Sequence, residues 1–112
     1  MEAIIDLEQE QEINKLTTDF LQVVNHVVFF PVEVAYYGSS DGESFTHLGT
    51  VTNQRPLTRS SKINDMQTFQ LEVPETSARY VKVVAKNMNE APEWHHAAGL
   101  PSWIFVDEVI IN

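Results

Sequence analysis

The residues of this chain that are best suited to chemistry sit together in its last quarter. From Asn89 to Asn112 it reads Asn-Glu-Ala-Pro-Glu-Trp-His-His-Ala-Ala-Gly-Leu-Pro-Ser-Trp-Ile-Phe-Val-Asp-Glu-Val-Ile-Ile-Asn. An indole, two imidazoles and stiffening Pro and Gly residues share one loop, which runs straight into an apolar strand. Loops held at the end of a rigid sheet are a common way of building a binding surface. Trp94 lies between Pro92 and Gly99 with no apolar periodicity around it. Two roles fit it: burial in a core, or a flat face for the C–H face of a ring-shaped ligand such as a sugar. Trp103 precedes Ile104-Phe105-Val106, so core packing is the role expected for it. His95 and His96 are adjacent, and on extended chain their side chains diverge. No second His pair stands at metal spacing, which argues against a transition-metal site. The expected division is one imidazole pinning the loop and the other facing a ligand. Arg55 and Arg59 occupy the other long loop, Thr52 to Asp65, either as hydroxyl-binding donors or as plain surface charge. Trp94, His95 and one of Arg55 or Arg59 are the candidate ligand-binding residues, with Asn64 added from the same loop.

Catalytic chemistry finds less support. Asp107 and Glu108 are neighbours on an expected strand, so their carboxylates point to opposite faces and do not share a substrate. The chain has no Gly-x-Ser-x-Gly, no phosphate-binding loop and no His-Glu-x-x-His. No catalytic residue is assigned, and the chain alone reads as a non-enzyme. The net charge is −9, from 7 Lys and Arg against 16 Asp and Glu. Phosphate contacts need clustered cations, so nucleic acid is not an expected partner. Attraction to an anionic membrane fails for the same reason. No apolar run approaches the roughly 18 residues of a membrane span, so insertion is not expected either. With no cysteine there is no disulfide, thiolate zinc site or cysteine nucleophile, and the compartment stays open.

The elements that must position these residues read as nearly all β. A length of 112 residues suits a single domain with one core, residues 1–112. Ala3 to Leu7 is a short apolar run, and Glu8 to Glu12 reads as a solvated turn. Glu12 to Gln22 alternates, with Leu16, Thr18 and Phe20 on one face. Val23 to Pro31 is apolar on all sides and fits a buried turn or a short helix. Val34 and Tyr36 lead to Asp41-Gly42, a strong hairpin signal because Gly supplies the positive φ of the turn. Phe45 to Val51 returns. Thr68 to Val73 alternates with Phe69, Leu71 and Val73 inward, and Pro74 to Ser77 reads as a turn. Arg79 to Lys86 and Trp103 to Ile111 carry apolar residues on both faces and read as central strands. Arg79 is expected to pair with a carboxylate at the sheet edge. Seven or so short strands with brief turns predict an antiparallel β-sandwich of jelly-roll type.

The order of these pieces resembles a known family. Ile5-Asp6-Leu7, then Val34-Ala35-Tyr36-Tyr37-Gly38-Ser39-Ser40-Asp41-Gly42, then Ala78-Arg79-Tyr80-Val81-Lys82-Val83, then Val106-Asp107-Glu108-Val109 is similar to a discoidin (F5/8 type C) domain, the galactose-binding-like jelly roll. The stretch from Trp94 to Glu108 resembles the discoidin-like ending of bacterial β-N-acetylhexosaminidases (chitobiases), notably of the Bacteroides type. The resemblance implies a non-catalytic module that binds glycan with N-acetylhexosamine or galactose-type sugars. It also implies a partner, the catalytic domain of a parent glycoside hydrolase, and a periplasmic, outer-surface or secreted location through that parent. The alternative is a purely structural domain that packs on the catalytic barrel without binding sugar. Two departures stand out. The family usually has Gly after Asp-Leu, where this chain has Glu8. Such domains also normally begin with a further strand and an Asp-Gly loop, so the chain reads as a piece of a larger secreted protein. That loop often supplies a structural calcium site completed by an acidic residue on the last strand. Glu108 matches the position, and the missing loop counts against calcium.

Overall fold

The structure, a computed structural model, describes residues 1–55, 57–58, 60–88 and 91–112. Its strands are β1 (Glu2–Val23), β2 (Glu33–Ser39), β3 (Thr46–Thr52), β4 (Asn64–Lys86) and β5 (Phe105–Ile111), with a 3-10 turn at Val24–His26. The five strands pair antiparallel, in the order β3-β2-β4-β1-β5.

Laid straight, β4 would run roughly 75 Å at about 3.3 Å per residue, yet the longest dimension of the molecule is 47 Å. β1 and β4 therefore bend, and each serves two layers. One layer holds β5, Lys15–Val23 of β1 and the first half of β4. The other holds Glu2–Asp6, the second half of β4, β2 and β3. Leu16, Phe20 and Phe69 of the first close on Val34, Tyr36, Val81 and Val83 of the second in one core. The fold is the expected all-β antiparallel sandwich. The Tyr36 hydroxyl locks the layers: it donates to the Phe69 carbonyl at 2.7 Å and lies 2.7 Å from the Thr18 hydroxyl. Burial pushes the Tyr36 phenol up to about 12, against the opposing hydrogen bond from Thr18.

The bends fall where the ladder between β1 and β4 shifts register, between Asp6 and Gln11 and between Ile13 and Lys15. Glu8 to Glu12 and Pro74 to Ser77, expected as turns, are instead parts of continuous strands. Polar residues and Pro suit an irregular stretch where the ladder breaks, and on sequence alone this cannot be told from a turn. Seven or so strands thereby become five. β5, expected to be central, is an edge strand paired only with β1. The hairpin stands where expected. Gly42 has φ +79°, and the Asp41 carboxylate accepts from the Glu43 and Ser44 N–H groups at 2.8 and 2.9 Å. Arg79 makes its expected pair, with two bonds to Asp6 at 2.9 and 3.1 Å.

Candidate functional site

The described residues of the connections 24–32, 53–63 and 87–104 gather at one end of the sandwich, tied by main-chain bonds. Val24 N–H donates to Ile63 O at 2.8 Å, and Asn53 N–H to Val32 O at 3.0 Å. Trp103 N–H donates to Val27 O at 2.8 Å, and Phe29 N–H to Trp103 O at 3.1 Å. A second, smaller core of Val24, Phe29 and Ala91 lies beneath, with Leu57, Met88 and Trp94 packed on it. Leu57 from one of the two long loops singled out in the sequence and Trp94 from the other both pack on this small core.

Within this end the roles divide differently from the expectation. Trp94 is half-buried against the small core, neither fully inside nor a free platform. His95 is only 6% exposed. Its Nδ1 accepts from the Ala97 N–H at 3.0 Å, so its ring proton sits on Nε2 and goes to the Val24 carbonyl at 2.5 Å. With both nitrogens bound to main chain, His95 is the pin of the loop. His96, stacked on it at 4.3 Å, is the exposed member of the pair. The assignment of His95 to the ligand thus gives way to a positioning role. Trp103, expected in the core, is 68% exposed. Alternation puts Ser102 inside, where its hydroxyl bonds Asn87 and the Met88 carbonyl, and Trp103 outside. Exposed Phe105 follows two residues later, opposite Leu21, which in turn pairs with Met66.

Arg55 is held on three sides. Its Nε donates to Gln67 Oε1 at 3.3 Å, one terminal nitrogen sits 3.2 Å from Asp65, and the other bonds the Met66 carbonyl. Its guanidinium lies 5.6 Å from the Phe30 ring centroid. Arg59 lies outside the described residues. Asn64 opens β4 opposite Val23 and is exposed. Glu108 is exposed on β5 opposite Asp19, whose carboxylate already accepts from Thr68 at 2.6 Å. Among the described residues no group of three or more His, Asp or Glu side chains gathers to hold a metal.

Sequence reasoning missed the pocket beside Arg55. It encloses about 360 Å³ and is lined by Phe30, Val32, Thr52, Asn53, Leu57 and Met88. These residues come from three separate parts of the chain, and no spacing announces them. A second hollow of about 320 Å³ lies at the hairpin end, lined mainly by Ser39, Ser40, Ser44, Thr46, Thr76 and Ser77. There Glu10 already accepts from the Ser40 and Ser77 hydroxyls.

The F5/8 type C domain family matches residues 2–107. The chain belongs to the F5/8 type C, or discoidin, family. Among solved structures it is similar to CBM32-3 from a family 31 glycoside hydrolase of Clostridium perfringens, with TM-score 0.60 and 14% identity over 98% of this chain. It is also similar to CpGH89CBM32-5 of the same organism, solved in complex with GalNAc-β-1,3-galactose, with TM-score 0.52 and 20% identity over 96% of this chain. The C-terminal domain of a chitobiase from Bacteroides fragilis gives TM-score 0.48 and 17% identity over 99% of this chain. The chain spans 64–65% of the length of these solved chains. The fold is that of the galactose-binding-like jelly rolls. No curated protein matches the chain.

Proposed function

We propose that this chain is a non-catalytic carbohydrate-binding module of a glycoside hydrolase, with its sugar site at the loop end of the sandwich. The observation that carries this reading is the clamped Arg55 guanidinium beside the pocket lined by Phe30 and Asn53. A fixed guanidinium directs its remaining N–H groups at ligand hydroxyls with little further loss of freedom. Membership of the F5/8 type C family and the sugar complex of the similar C. perfringens protein support it. We assign the parent to the chitobiase and β-hexosaminidase type, exported by a bacterium. Binding at such a shallow site is weak, and tethering to the enzyme raises the effective concentration. The test is a glycan array followed by calorimetric titration, with Arg55→Ala alongside. Binding that Arg55→Ala lowers by about tenfold or more supports the reading, and no binding to any glycan overturns it.

A second reading draws on the row formed by exposed Trp103, Phe105 and Met66 with half-buried Leu21 between the last two. A purely structural domain would bury such a face against the catalytic barrel. Failure of the array, together with binding to the parent's catalytic domain that Trp103→Ser abolishes, would replace the first reading with this one.

A further inference from the structure

We infer that the open edge of β5 pairs with the same edge of a second copy of this chain, antiparallel and centred on Ile110. Among the described residues β5 has β1 as its one neighbouring strand. Asn112 and Lys15 exchange both of their main-chain bonds, at 2.9 and 3.0 Å. Bonded and non-bonded rungs alternate along an antiparallel pair. The N–H and C=O groups of Ile110 and Glu108 therefore point to β1, and those of Ile111 and Val109 point away from it. Among the described residues these outward groups meet no partner. The side chains of Val109 and Ile111 pack on the core, yet no residue of β5 is fully buried, so the core is open along this flank.

Sheets blunt such edges with Pro, Lys or a bulge. Asp107 is a bulge, passed over between the Asp19–Glu108 and Phe20–Val106 rungs. From Glu108 to Asn112 the strand has none of these devices. The opposite edge strand, β3, is interrupted by a register shift and is rich in Thr, His and Gly. The regular stretch Glu108-Val109-Ile110-Ile111-Asn112 is complementary to itself. Pairing about Ile110 sets Val109 against the partner's Ile111, so each outward N–H meets a carbonyl. These side chains lie on the core side in both copies, and the core continues across the junction. Ile110 meets the partner's Ile110 on the outer face, a close apolar pair. Glu108 falls opposite the partner's Asn112, so no carboxylate faces another. Pairing centred on Glu108 would oppose two carboxylates, and pairing centred on Val109 would run onto the bulge. A parallel pair would turn the core side of one copy toward the outer side of the other. The antiparallel pair sends the two loop ends in opposite directions.

The contact is short, below the size of a standard interface, so a dissociation constant of about 10 µM to 1 mM is expected for the intact chain in sedimentation equilibrium. Ile110 is 38% exposed opposite Thr17, so Ile110→Lys spares the monomer and sets two ammonium groups face to face. It should weaken the dimer by about tenfold or more. Asn112→Lys, meeting the partner's Glu108, should tighten it by about threefold, and Asn112→Asp should loosen it. Glu2→Gln changes the net charge by as much as Asn112→Lys but stands away from β5, and it should alter the dimer much less. A mixture of isotope-labelled and unlabelled chain should show an NOE between the Ile110 α-hydrogens of the two copies, which a non-bonded rung brings together. A chain that stays monomeric, a dimer without that NOE, indifference to Ile110→Lys, or equal responses to Asn112→Lys and Asn112→Asp would overturn the inference. Association that Trp103→Ser abolishes and Ile110→Lys spares would overturn it too, by moving the contact to the aromatic face.

Discussion

Glu8 holds a backbone conformation that favours glycine, with φ +73°. A side chain in that region costs about 1–2 kcal/mol, of which glycine returns about 0.5–1 through its freer unfolded chain. Glu8 is exposed, and its contribution to the fold is its N–H bond to Asp6, which glycine retains. Glu8→Gly should therefore raise stability by roughly 0.5–1 kcal/mol, read as a higher urea midpoint. The family's usual glycine at this place is thus explained by geometry, and this chain does without it. The carboxyl of Asp41 is held below the usual range by the N–H groups of Ser44 and Glu43 and then by the Ser39 hydroxyl. Asp6 is held low by its bonds to Arg79 and then by the Glu8 N–H. Unfolded, both titrate near pH 4. The folded chain binds these protons less readily, so the stabilisation is complete above about pH 4 and is lost as pH falls through the folded values. Asp41→Asn should flatten the acid side of the stability profile, measured by urea midpoints from about pH 5 downward. The two tryptophans show how far single residues can be read. Trp103 precedes an apolar run, and the run gives no parity signal because both faces of β5 carry apolar residues. Only the Val27–Trp103 main-chain bond and the burial of Ser102 reveal which side faces water.

β1 and β4 mark the limit of what turn chemistry discloses. Asp41-Gly42 was legible because a tight hairpin needs a positive φ at a particular residue. The bulges were not, since a run of Glu and Gln or a Pro serves a solvated break in the ladder as well as it serves a turn. Alternation, by contrast, gave the inward faces of Leu16, Thr18 and Phe20 and of Phe69 correctly, because these residues lie on stretches where the β1–β4 ladder runs without a register shift and side-chain parity holds. Tyr36 on β2 bonds to both β1 and β4 through one hydroxyl. Tyr36→Phe should leave the Thr18 hydroxyl and the Phe69 carbonyl short of a partner and cost about 1–3 kcal/mol, seen in urea denaturation. With its phenol pushed up to about 12, the folded chain favours the neutral form. That stabilisation is in place below about pH 10 and is lost as pH rises toward the folded value. Tyr36→Phe should remove this alkaline dependence.

Among the described residues there are two centres of burial, a large core between the layers and a small one under the loops. The loop end owes its shape to few apolar contacts and to the His95 pin, so it should open at lower cost than the strands. Amide hydrogen exchange is expected to be faster from Ala91 to Trp103 than in β4, and His95→Ala should speed it further while changing β4 much less. Candidate-site residues were legible only as members of two loops, because the pocket draws on three separate parts of the chain that the fold alone assembles. The sharing of β1 and β4 between both layers carries a consequence for how the molecule reaches its shape. Glu2 stands opposite Val84, and Leu16 opposite Ile111, so most of the length of the chain must be searched before either layer closes. Neither layer has a complete set of strands of its own from which to start. Refolding should accordingly be slow for a chain of this size, in the millisecond-to-second range of proteins dominated by non-local pairing, and neither layer should form as a stable intermediate without the other.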